Sequence, residues 1–153
     1  MWFKRKKGGN NRKERKDVEM IHVTVEDMRI AVNTYANQLD SDVSLRTIIK
    51  DNHEIDNEPL TDFLGGRPDR SFYMAKETFE IFEDPEYPKW IDLCQIACDQ
   101  YFLETGEEPV LAGDPARKLN YLKVKDYLKE KPPFDLYLHS HDRMVTHRMP
   151  ENK

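Results

Sequence analysis

One stretch, Pro88 to Thr105 (PKWIDLCQIACDQYFLET), constrains the fold of this chain more than any other. Turned at about 100° per residue, Leu93, Ala97, Trp90, Tyr101, Cys94, Cys98, Ile91 and Phe102 fall in one arc of roughly half the circumference. Asp92, Gln95 and Asp99 lie opposite. Pro88 suits a first helical turn, whose N–H groups have no intrahelical partners, and Gly106 suits the left-handed residue that closes a helix. The spacing predicts a helix of about 18 residues, roughly 27 Å long, packed against more than one neighbour.

A chain of 153 residues is long enough to bury a core around such a helix as one domain. Its 16 aromatic residues argue against a disordered chain. No apolar run approaches the roughly 18 to 20 residues of a membrane span, and MWFKRKKGGNN lacks the apolar core of a signal peptide. Two cysteines four apart on one helix are no disulfide framework, which agrees with a reducing compartment. The expected location is cytoplasmic.

Around the central helix, Met20 to Val25 alternates like a half-buried strand, and Thr24 with Asp27 resembles a capping box that starts a helix. Val25, Met28, Val32, Tyr35, Ala36 and Leu39 share one stripe of that helix. Val43 to Ile49 reads as a strand or a helical turn, and Leu60 to Leu64 as a short helix stopped by Gly65-Gly66. Ser71 to Met74 reads as a strand and Lys76 to Glu83 as a two-turn helix burying Phe79 and Phe82. Pro109 to Ala112 is a candidate strand, and Asn120 to Glu130 reads as a helix with Tyr121, Val124, Tyr127 and Leu128 inward. FDLYLHSHDRMVTHRM is a β-hairpin: for Leu136 and Leu138 to share a face with Val145 and His147, the loop must hold an even number of residues, centred near His141-Asp142. The fold class is therefore α+β, a single domain over residues 18–150 with four or five helices, a small mainly antiparallel sheet and a C-terminal hairpin. A basic arm, 1–17, precedes it and a short tail, 151–153, follows.

Charge separates the arm from the body. Residues 1–16 carry eight Lys/Arg against Glu14, a net of +7, whereas the rest of the chain is strongly acidic. Trp2 and Phe3 stand before Lys4, Arg5, Lys6 and Lys7, and Arg12, Lys13, Arg15 and Lys16 follow a Gly8-Gly9 joint. Aromatics beside a polybasic run suit an anionic membrane surface, with each cation contributing about 1 kcal/mol. Nucleic-acid phosphates are a lesser alternative, and the plain reading is a solubilising tail.

Chemistry has fewer anchors. His139, His141 and His147 with Asp142 are the best metal-site candidates, but the hairpin register turns His147 away from the other two. His53 falls in an acidic loop and reads as solvated. Cys94 and Cys98 lie mid-arc, which implies inert packing thiols. Glu107, Glu108 and Asp114 read as acidic loop residues. Gly65-Gly66-Arg67-Pro68-Asp69 lacks the ending of a phosphate loop, and no Gly-x-Ser-x-Gly elbow occurs. No catalytic residue, cofactor or small-molecule ligand is predicted, and the oligomeric state is left open.

FLGGRPDRSFYMAKETFEIFE from Phe63, YPKWIDLCQIACDQYFLETGEEPVLAGDP from Tyr87 and LYLHSHDRMVTHRMP from Leu136 together resemble a family of small uncharacterised Bacillus-type proteins, a domain of unknown function. The resemblance implies a single cytosolic α+β domain and assigns no activity to any residue. The expected role is a binding or adaptor protein with a protein partner, held peripherally at the inner face of an anionic membrane by its arm. The alternative is a small hydrolase or metal-dependent enzyme with a site near the C-terminal hairpin.

Overall fold

The computed structural model describes residues 19–149, and the chain there forms two compact units. One comprises residues 19–50 and 55–71, the other residues 51–54 and 72–149.

In the first unit, β1 (Met20–Ile21) pairs in parallel with β2 (Arg67–Pro68). Helix α1 (Val25–Asn37) starts at the expected capping box. Thr24 Oγ1 accepts the Asp27 N–H at 3.0 Å, and the Thr24 N–H donates to Asp27 Oδ2 at 3.1 Å. Two groups that a helix start leaves unpaired are thereby satisfied. The Thr24 N–H holds the Asp27 carboxyl below the usual carboxylate range. Met28, Ala31 and Val32 are the buried residues of α1, and Val23, Ile48, Ile49, Ile55 and Leu60 are buried with them. Val43 to Ile49 resolves as a 3-10 turn over Leu45–Ile48, capped by Ser44. A second 3-10 turn, Glu58–Leu60, runs into the single turn of α2 (Thr61–Leu64), which ends at Gly65 as predicted. Gly66 is required by close approach: a Cβ there would lie 2.8 Å from the Glu19 carbonyl oxygen and 2.9 Å from Ile21 Cγ2.

The second unit is built on α3 (Glu86–Thr105), 20 residues long and closed by Gly106 at φ +74°. Ile91, Cys94, Ala97 and Cys98 pack in one cluster with Leu119, Val124, Leu136, Leu138 and Val145. Strands β3 (Tyr73–Met74) and β4 (Ile81–Phe82) form one antiparallel pair, and β5 (Tyr137–Leu138) and β6 (Val145–Thr146) another. Leu138 sits opposite Val145, so the hairpin loop is the six residues 139–144, even in number and centred where the alternation placed it.

The class is α+β, but the described residues hold three α-helices rather than four or five. Their strands form three separate pairs, two antiparallel and one parallel, instead of one sheet. Two predicted helices do not form. Lys76 to Glu83 is the turn and second strand of a hairpin, in which the Ala75 N–H bonds to the Glu80 carbonyl and Phe79, at φ +62°, stays 38% exposed instead of buried. Asn120 to Glu130 is a succession of turns. The Asn120 N–H goes to the Pro109 carbonyl and the Asn120 side chain takes the Leu122 N–H, local bonding that competes with a helix start. Val124 is nevertheless buried, and Tyr121, Tyr127 and Leu128 pack against the cluster as the pattern required.

Candidate functional site

The largest departure from the sequence reading lies on α3. Asp92 and Gln95, placed on the outer face, are buried, whereas Leu93, placed in the buried arc, is 42% exposed and Ile96 57% exposed. Hydrogen bonds explain the inversion. Asp92 Oδ2 accepts from His53 Nε2 at 2.8 Å and from the Lys76 N–H at 2.9 Å, and Oδ1 accepts from the Glu77 N–H at 2.9 Å. A carboxylate buried with three donors is satisfied, and it draws in a loop residue 39 positions earlier. Gln95 plays the same part for the C-terminal hairpin. Its Oε1 accepts the Val145 N–H at 2.6 Å and its Nε2 donates to the Arg143 carbonyl at 3.1 Å.

His53 is therefore not a solvated loop residue. Its side chain is 16% exposed and its backbone is left-handed at φ +75°, a strained conformation for a residue with a Cβ. The Asp92 carboxylate accepts the Nε2 hydrogen of His53 and fixes the orientation of the ring. The thiols on the same helix supply no nucleophile: burial pushes Cys94 up to about 12, and burial chiefly raises Cys98 as well. The pair reads as a clamp joining residues 51–54 and the β3–β4 turn to α3.

The hairpin histidines separate into two groups. His139 and His141 approach with ring centroids 5.4 Å apart, and His139 Nδ1 lies 3.4 Å from Asp142 Oδ1. His147 packs elsewhere, 4.9 Å from the Phe82 ring and 5.1 Å from Tyr87, with Glu80 Oε2 3.3 Å from its Nδ1 but outside hydrogen-bond alignment. Among the described residues no group of three or more His, Cys, Asp and Glu side chains is arranged to hold a metal ion. The acidic loop residues also have local partners. Glu108 pairs with Arg117 at 2.9 Å, Glu107 accepts the Tyr101 hydroxyl at 3.1 Å, and Asp114 takes the Ala116 and Lys118 N–H groups at 3.0 and 3.1 Å.

A further surface of the second unit was not singled out by sequence. The turns over 118–131 form an open groove of about 460 Å³ whose lining includes Leu119, Tyr121 and Leu128 together with four lysines. Leu119 is buried and the two others are half-buried, so they make the floor; Lys125, Lys129 and Lys131 are exposed and make the rim. Lys118 is held at 3.3 Å from Asp135, and Lys131 Nζ lies 5.6 Å from the Tyr121 ring centroid.

The family model described as "Protein of unknown function (DUF3939)" matches residues 18–147. The chain belongs to this family. No curated protein and no solved structure matches it. The DUF3939 span contains the Asp92 clamp, the lysine groove and both hairpins, while the arm lies before it. The arm residues Trp2, Phe3, Lys4, Arg5, Lys6, Lys7, Arg12, Lys13, Arg15 and Lys16 also lie outside the described residues. Among the described residues of this DUF3939 protein, no helix is long and apolar enough to cross a membrane. The clamp was hidden from the sequence because its donors stand 15, 16 and 39 residues from Asp92. The groove had a visible signal: six of the fifteen cations in residues 19–149 fall in residues 117–131, against two of the 26 acids.

Proposed function

We propose that this DUF3939 chain is a non-catalytic binding protein, an adaptor held peripherally at the inner face of an anionic membrane by its arm and offering its folded body to a protein partner. The observation that carries this reading is the separation of charge. The arm has a net of +7, while residues 19–149 hold 15 cations and 26 acids, a net of −11. An acidic body is repelled by an anionic surface, so attachment falls to the arm, where Trp2 and Phe3 enter the interface and the cations meet headgroups. The buried, fully hydrogen-bonded Asp92 and the high pKa of Cys94 favour a structural role for the groups that chemistry would otherwise use.

Co-sedimentation with liposomes tests it. The full-length protein is expected to pellet with phosphatidylserine vesicles, to stay in solution with neutral ones and to be released by salt. A full-length variant with the eight arm cations replaced by serine is expected to stay in solution throughout. Equal pelleting of the two proteins would remove the arm from the mechanism.

A further inference from the structure

We infer that the lysine-rimmed groove of the second unit is the docking site for an acidic, amphipathic peptide segment of a partner protein. The docking site rests on the proposed protein partner but not on the arm, and the groove lies in the second unit.

Three features define the occupant. The first is sign. The groove lining holds four lysines against Glu130; Lys118 is paired with Asp135, while Lys125, Lys129 and Lys131 stay exposed, a positive island on a body whose described residues have a net of −11. A partner with acidic side chains is attracted to this island and repelled around it, which fixes where it lands. Lys125 and Lys129 are exposed and carry no ion pair among the described residues, so their charge is available to a ligand.

The second is the kind of cation. All four cations of the lining are lysines, with Glu130 beside them. An ammonium group meets a carboxylate or a phosphate as a point charge, so the lysines fix the sign of the occupant and the floor fixes its shape.

The third is shape. The floor of Leu119, Tyr121 and Leu128 is concave and apolar, and its volume lies in the range that accepts a small ligand or a few side chains. A flat bilayer would rest on the rim and leave the floor wet. An extended or helical segment with apolar side chains between carboxylates fills the floor and pairs with the rim together. Leu122, 77% exposed on the lining, gives such a segment an apolar edge to cover.

The test uses the full-length chain and a fluorescein-labelled peptide of Glu-Glu-Leu repeats, followed by anisotropy without lipid. Saturable binding is expected. The double substitution Lys125→Glu and Lys129→Glu should weaken it by about tenfold or more and flatten its salt dependence, as loss of rim charge does. Lys125→Gln with Lys129→Gln should weaken it in the same direction by less, which keeps the test sound should the reversal disturb folding. A peptide with glutamine in place of glutamate should not bind, and the serine-substituted arm variant should bind as the natural chain does. Unchanged affinity in both lysine double variants overturns the proposal, as does a loss of binding that follows the arm cations. Displacement of the peptide from the arm variant by phosphatidylserine vesicles would overturn it in favour of a lipid site. The arm's attachment to vesicles is read in the co-sedimentation experiment, so each idea can fail alone.

Discussion

Asp92 shows how a single side chain decides local structure that polarity alone misassigns. Its carboxylate satisfies two consecutive backbone N–H groups and an imidazole, all withdrawn from water. Asp92→Ala leaves those donors unpaired in the interior and should lower stability by about 3 kcal/mol, a loss visible as an earlier urea midpoint. A midpoint within error of the natural protein would show that water replaces the carboxylate without cost. The thiols give a pH prediction at the same scale. Cys94 is raised to about 12 by burial from an ordinary 9.0, so above pH 9 the unfolded chain loses a proton that the folded chain keeps. The folded state then binds more protons than the unfolded one, and stability falls as pH rises from about 9 towards 12. Cys94→Ser and Cys98→Ser together should flatten this alkaline decline. Native protein should also react with a thiol reagent only at the rate of its unfolding.

At the scale of elements, α3 holds the C-terminal hairpin through Gln95 as well as through its apolar face. Gln95→Leu should release the Val145 N–H at a cost of about 1 to 2 kcal/mol, with faster hydrogen exchange at Val145 than in the first turn of α1. Exchange at Val145 as slow as in the natural chain would mean the apolar cluster suffices. What was legible in the sequence followed from rules acting over a few residues. The Thr24–Asp27 box, the Gly106 stop and the even hairpin loop each follow from local geometry, and each formed. The unread parts depend on partners far along the chain. Lys76 to Glu83 has helical spacing, yet Asp92 takes its first N–H groups and Tyr73–Met74 pairs with Ile81–Phe82. Asn120 to Glu130 kept its inward residues and lost its helix to bonds from Asn120, a residue favoured at turns. The lysine groove needed only a count of cations along the chain.

For the molecule as a whole, opposite charges on arm and body imply opposite responses to salt. On the proposed attachment, salt weakens the pull of the arm on an anionic vesicle, and it equally weakens the repulsion of a body with net charge −11. The serine-substituted variant should therefore be excluded from phosphatidylserine vesicles most strongly at low salt, the reverse of the full-length chain. A low-salt gain in its binding would place an attractive surface on the body. The assignment of residues 51–54 to the second unit bears on how the chain is born. His53 leaves the ribosome 39 residues ahead of Asp92, and at about 5 to 20 residues per second the delay is roughly 2 to 8 seconds. Residues 19–50 and 55–71 are all synthesised within that interval or before it. The order of synthesis thus puts every residue of the first unit on the chain before the Asp92 carboxylate that His53 pairs with.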